Sequence, residues 1–168
     1  MVSPAVLLVP YDPQWPALFE AEAARIERAL VGLPIRLEHV GSTAVPGLAA
    51  RQVIDILAGR PPKSSVEPYV AALKQLGYDH RGTAGIPGRQ SFRRGSPRSH
   101  HLHLVSWTSA FWRDQLVFRD ALRADPVLAR EYETLKYDLA VRLDESGGYA
   151  DAKGPFIRRV LRDAPSFQ

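Results

Sequence analysis

The sequence contains no cysteine, and that one absence removes disulfides, thiolate zinc sites and cysteine nucleophiles together. Any metal must therefore be held by oxygen or imidazole. No apolar run approaches the ~20 residues that span a bilayer. The opening residues Met1-Val2-Ser3-Pro4 lack the basic flank of a secretory signal, so a cytoplasmic location is expected. No shift in composition divides the chain, and residues 1–168 are expected to form one domain, disordered at most at its ends. There is no Gly-Lys-Ser/Thr phosphate loop and no Gly-x-Ser-x-Gly nucleophile elbow, which argues against a Walker-type nucleotidase and a serine hydrolase.

What is present is an ordinary globular composition, 45% hydrophobic and 24% charged, with a formal charge of +4. Nearly all of the cations are arginine, whose planar fork suits phosphate, although an arginine bias also follows from a GC-rich genome. Net charge alone supports no claim of nucleic-acid binding.

Val6 to Val9 is a short apolar run closed by Pro10, read as an edge strand or ordered arm. Phe19, Ala23, Ile26 and Leu30 recur at helical spacing and predict a helix from Pro13 or Pro16 to Leu30, capped by Asp12 or a neighbour. Strands are expected at 35–40 and 53–57, a helix at 66–76, a glycine-rich loop at 82–89, and a hairpin from strands 91–94 and 99–106. Helices beginning near Ser109 and at Asp125-Pro126 follow, with Leu128, Tyr132, Leu135, Leu139 and Leu143 as the inward stripe of the second. Gly147-Gly148 then separates a last amphipathic segment around Phe156 and Val160. The expected fold is α/β or α+β with a helical C-terminal half.

Three features carry chemistry. Asp55 lies in the apolar strand Val53-Ile54-Asp55-Ile56-Leu57, where a buried carboxylate is costly without a partner. Gly41-Ser42-Thr43 follows a strand and precedes a short helix; its N–H groups and hydroxyls suit a phosphate, or equally a structural turn. In "SHHLHLV", strand alternation puts His101 and His103 on one face and His100 on the other. Two imidazoles at that spacing suit a divalent transition metal completed by Asp55 or His39; the alternative is a pair of hydrogen-bonded residues lining a groove. Arg89, Arg93, Arg94 and Arg98 precede the histidines. They suit the phosphates of a nucleotide, coenzyme or RNA, with solvated edge protection the default for Arg94 and Arg98.

Taken together, "YDPQWPALFEAE", "HVGSTAVPGLAARQVIDIL", "SHHLHLV", "FRDALRADPVLAREYETLK" and "YADAKGPFI" resemble the GrpB family over nearly the whole chain. The resemblance implies a compact nucleotidyltransferase-like mixed sheet flanked by helices, and kinship with a domain fused to dephospho-CoA kinase in some bacteria. It also implies the superfamily pattern of Gly-Ser followed by paired carboxylates on the next strand. Gly41-Ser42 supplies the first part and Asp55 the first carboxylate, the catalytic candidate, while Leu57 occupies the second position. A later strand usually adds a third carboxylate, and here the histidine strand takes that place. Where the family usually has Lys-Pro, this chain has Arg51-Gln52.

The implied ligand is a nucleotide or other phosphate compound, bound by Gly41, Ser42, Thr43, Arg51 and Arg93. The implied cofactor is a divalent metal, Mg, Mn or Zn, on Asp55, His101 and His103, a nitrogen-rich set that suits Mn or Zn better than Mg. Metal-dependent nucleotidyl transfer is the first expectation. A non-catalytic phosphate-binding module and a small metallohydrolase are the alternatives.

Overall fold

The protein is described here from a computed structural model, which covers residues 5–144 and 148–165. The expectations for Met1 to Pro4 and for a break at Gly147 lie outside the described residues. A five-stranded mixed sheet runs in the order β1-β2-β5-β4-β3, with β1 (Arg36–Val40), β2 (Ile54–Arg60), β3 (Asp79–His80), β4 (Gln90–Arg94) and β5 (His100–Ser106). Only β2 and β5 pair in parallel; the other neighbours are antiparallel. The helices are α1 (Trp15–Ala29), α2 (Glu67–Gln75), α3 (Ala110–Ala124), α4 (Pro126–Arg142), α5 (Tyr149–Ala152) and α6 (Gly154–Asp163). The fold is therefore the expected α/β arrangement with a helical C-terminal half. Among the described residues no helix is long and apolar enough to cross a membrane.

Strand alternation divides the side chains between two layers. Ile54, Ile56 and Ala58 of β2, with Phe92, Leu102 and Leu104, pack against Trp15, Phe19, Ala23 and Ile26 of α1 and Tyr69 and Leu73 of α2. The opposite face presents Val40, Leu57 and Val105 to Phe111, Trp112 and Leu116 of α3. Beyond α3, Val45, Leu48, Leu122 and Tyr132 form a third cluster that seats α4 and Phe156 of α6. Two hydrophobic seams thus fix the C-terminal helices over one face of the sheet, and the first cluster seats α1 and α2 on the other.

Several local expectations are refined. The N-terminal arm makes a single antiparallel bridge, Val9 to Ala50. Asp12 does not cap α1: Gln14 holds the cap position without a side-chain bond, and Asp12 accepts from the Gln14 N–H at 2.8 Å, just ahead of the helix. Ser109 and Asp125 do cap α3 and α4, accepting from Trp112 N–H and from the Val127 and Leu128 N–H groups. The short helix expected after Gly41 is a single 3-10 turn, Ser42–Ala44, too short to carry a helix dipole of consequence. Arg89 ties the 82–89 loop by donating to the carbonyls of Thr83 and Ala84 at 3.2 and 2.9 Å.

Gly59 marks where β2 and α3 approach most closely. A Cβ there would lie 2.7 Å from Trp112 and 3.0 Å from the Trp107 Cβ. Gly59→Ala is expected to lower stability by about 1–3 kcal/mol through this overpacking, measured as a reduced midpoint in urea with an unchanged slope.

Candidate functional site

Parallel pairing of β2 with β5 sets Asp55 opposite His101 and Leu57 opposite His103, so all four side chains share one face of the sheet. The Asp55 Oδ1 stands 3.6 Å from His101 Nδ1. The His101 and His103 rings are 4.3 Å apart, and one ligand atom from each of Asp55, His101 and His103 lies within 4.8 Å of the others. His101 Nε2 meets the buried Ser91 hydroxyl at 3.1 Å, which fixes the ring with Nδ1 toward Asp55. His103 Nδ1 is buried with no hydrogen-bond partner among the described residues, an arrangement that a bound cation would satisfy. Burial, reinforced by Arg93, Arg98, Arg89 and Arg51, lowers the His101 pKa to about 3, and burial with His101 and Arg89 lowers that of His103 well below 6.5. Both imidazoles are therefore neutral near pH 7, the form that ligates metal.

Gly41 closes the site from above. Its φ is +74°, and a Cβ would fall on Asp55 Oδ2, with the Asp55 Cβ and Cγ at 3.0 Å. Glycine is required both for the backbone conformation and for the approach. Burial raises the Asp55 pKa to about 6, while Arg51, Lys153, Arg98 and Lys136 oppose that rise.

A cavity of about 760 Å³ contains this group, and Gly41, Ser42, Thr43, Arg51, Asp55, Arg93, His101 and His103, the eight residues singled out in the sequence, all line it. Their exposure to it is unequal. Thr43 is buried and its hydroxyl meets His39 Nε2 at 2.8 Å, so that hydroxyl is already engaged. His39 lies on the opposite face of the sheet, stacked on Phe19 at 4.8 Å, and is not a third ligand. Ser42 lines the cavity together with Tyr132. Arg94, expected as a solvated edge charge, instead donates to the buried Glu22 at 2.7 Å, because that carboxylate needs a countercharge. His100 shares that inner face, bonded to Ser99 at 2.7 Å.

The C-terminal helices bring residues that sequence reasoning missed. Lys136 of α4 is 2% exposed, donates to the Ala49 carbonyl and sits 5.3 Å from the Tyr132 ring. Lys153, in the turn between α5 and α6, lies 4.6 Å over the Tyr149 ring, which Arg51 also faces at 5.6 Å. Burial and the neighbouring cations lower the Lys136 pKa to about 7 and the Lys153 pKa to about 8. Such crowded, desolvated cations favour a bound anion. A signal was available: Lys136 follows Tyr132 by four residues and so interrupts the apolar stripe of its own helix.

The five-stranded mixed sheet, its flanking helices and the Gly-Ser turn standing over a carboxylate on the following strand make this an α/β domain. The chain belongs to the GrpB family, whose model, described as GrpB protein, matches residues 5–163. It is 31% identical to the glutamate-rich protein GrpB of Alkalihalophilus pseudofirmus, covering 94% of this chain and 95% of that protein. The crystal structure of GrpB from Enterococcus faecalis superposes with a TM-score of 0.83 at 32% identity, covering 94% of this chain and 96% of that one. A structure of the Cid1 poly(U) polymerase shares the fold with a TM-score of 0.55 at 12% identity, over 80% of this chain and 44% of the polymerase. A protein of Mycolicibacterium paratuberculosis named dephospho-CoA kinase is 29% identical over 95% of this chain but only 46% of its own length.

Two outcomes test the geometry. Gly41→Ala is expected to cost at least about 2 kcal/mol from the positive φ and the clash, and less in an Asp55→Ala background, where the contacts with the carboxylate are gone and the backbone strain and the 3.0 Å Cβ contact remain; a double-mutant unfolding cycle measures the difference. The pH dependence follows from opposing signs. His39, held near 4 mainly by burial, and His101, near 3, have depressed pKa values, so the stability they confer is lost as pH falls below 6.5. Asp55, raised to about 6 from 3.8, gains stability as pH falls through that window. Asp55→Asn should therefore make the loss of stability between pH 6.5 and 4 steeper than in the unsubstituted protein, measured by denaturation at each pH.

Proposed function

We propose that the cavity binds a nucleotide or a related phosphate-bearing ligand together with a divalent cation, and supports metal-assisted nucleotidyl transfer. The observation that carries this reading is the convergence of Asp55, His101 and His103 in the cavity that Arg51, Lys136 and Lys153 also line. Asp55, His101 and His103 would hold the cation, and their two imidazoles favour Mn or Zn over Mg. A bound cation would supply neutralisation of charge developing on a phosphoryl oxygen.

The chain's own residues provide the rest. Ser42 and the N–H groups of its turn hold a phosphate, and Lys136 and Lys153 meet its charge without water between them. Arg51, carried on the linker before β2, adds a second cation from the side of Tyr149. Arg93, exposed on β4 in register with His101, offsets charge at the cavity mouth. Asp55 is the catalytic candidate, acting through the cation it orients.

A second reading, a non-catalytic phosphate-binding module, draws on Leu57. It is fully buried against Val40 and Val105 beneath α3, so the position that would offer a second carboxylate is part of the core. The similarity to part of a protein named dephospho-CoA kinase makes dephospho-CoA a useful probe beside the nucleotides.

A thermal-shift screen of nucleoside triphosphates and dephospho-CoA, with and without Mn, Zn and Mg, tests both readings. Metal-dependent stabilisation by a nucleotide is expected, lost in Asp55→Ala and weakened in Lys153→Met with metal-linked stabilisation retained. Identical responses from the unsubstituted protein and Asp55→Ala would remove the site assignment. Nucleotide stabilisation indifferent to chelator would favour the passive module.

A further inference from the structure

Charged and metal-ligating groups make up only part of the Asp55 cavity. Phe111, Gln115 and Phe118 recur on α3 at steps of four and three, so one face of that helix lines it. Ile86 of the 82–89 loop joins the same lining, as do Ile157 and Leu161, four residues apart on α6. All six are half-buried, and Ile86, Ile157 and Leu161 pack into none of the three hydrophobic clusters. The apolar face of α6 is therefore wider than its packing requires: Phe156 joins the third cluster and Val160 is buried, while Ile157 and Leu161 line the cavity. Half-exposed apolar side chains scattered over a surface need no explanation, but a loop and two helices that bring them to one concavity do. Apolar walls favour neither a phosphate nor a cation, both of which lose hydration beside them. Within this wall the Gln115 amide makes no hydrogen bond among the described residues, and it offers two donors and an acceptor. Its neighbour Asp114 is instead paired with Arg113 at 3.4 Å. The α3 part of the wall begins beside the metal-ligating group, where the Phe111 ring is 5.5 Å from that of His103, and reaches Phe118, 5.2 Å from the Tyr132 ring.

We propose that this wall is a nucleobase subsite, which takes a purine and hydrogen-bonds its edge through Gln115. That the base belongs to a nucleotide whose phosphates lie on the Asp55 side rests on the function proposed above; the wall itself does not. A base is flat, apolar on both faces and polar at its rim, which matches apolar walls interrupted by one amide. The donor and acceptor of that amide complement an edge carrying both, such as the N6 amino group and N7 of adenine. Two fused rings bury more apolar surface than one, so a purine is held more firmly than a pyrimidine. An aliphatic chain would use the walls and leave Gln115 unpaired. The cavity, of about 760 Å³, lies within the range of small-ligand pockets, about 300–1,000 Å³.

Calorimetric titration of the full chain in the presence of Mn, with α,β-methylene-ATP, its uridine counterpart and inorganic tripolyphosphate, tests the subsite. The adenine nucleotide is expected to bind at least about tenfold more tightly than tripolyphosphate, and more tightly than the uridine analogue. In Gln115→Ala and in Leu161→Asn that advantage should fall about fivefold, with the affinity for tripolyphosphate unchanged. Equal melting temperatures without ligand check the fold of both variants. Equal affinities for nucleotide and tripolyphosphate overturn the subsite and leave the phosphate reading intact. A preference for the uridine analogue overturns the purine assignment, and tighter binding of octyl phosphate than of AMP overturns the base. The unsubstituted protein offers a measurement free of metal and phosphate: adenosine alone should shift the side-chain amide resonances of Gln115, and unmoved resonances overturn the proposal. If that shift persists in Asp55→Ala while the unsubstituted protein shows no Mn-dependent nucleotide binding, the function proposed above fails and this inference stands.

Discussion

The carboxylate of Asp55, pressed beneath the Gly41 turn in the middle of an apolar sheet, is the constraint around which the site is built. A carboxylate there has surrendered much of its hydration, and its raised pKa records that loss. The molecule answers with charge from every side: Arg51 from the linker before β2, Arg98 from the hairpin, Lys136 and Lys153 from the C-terminal helices. The two lysines are in turn desolvated, so each is easier to deprotonate than it would be in water.

The turn itself is held by groups remote from any ligand. Arg119 donates to the His39 carbonyl at 3.1 Å and Arg123 to the Ala44 carbonyl at 2.8 Å, so α3 grips the chain on both sides of Gly41. Glu133 and Lys136 of α4 clamp the backbone N–H and carbonyl of Ala49. These bonds position the Gly-Ser turn over the sheet. They also hold α3 and α4 directly against the site.

Much of this was legible in the sequence because alternation and helical spacing report which way a side chain faces. Alternation puts His101 and His103 on a common face, the needs of a metal and the family resemblance bring Asp55 to them, and the hairpin that carries the histidines follows from its turn residues. What periodicity does not carry is the partner across space. His39 also lies on a strand, yet its neighbour is Phe19 of α1 and its bond goes to Thr43, a pairing that no local pattern encodes. Arg94 looked like an edge charge because the buried carboxylate that claims it, Glu22, sits on a distant helix. Lys136 and Lys153 reach the cavity only through the packing of the third hydrophobic cluster. The resemblance singles out Leu57, and the structure places it in the seam under α3.

The parallel pairing of β2 with β5 also bears on how the chain reaches its folded state. The strands on either side of that pairing join antiparallel neighbours, and the β4–β5 pair is a local hairpin. The parallel pair brings together segments separated by α2, β3 and β4, with a loop-closure entropy that must be met before any of its contacts reward it. Asp55 and the two histidines stand on opposite sides of that long-range pairing. An unfolded or half-assembled chain therefore offers a cation only fragments of the site, and a cation bound to the complete set would clasp the two strands together.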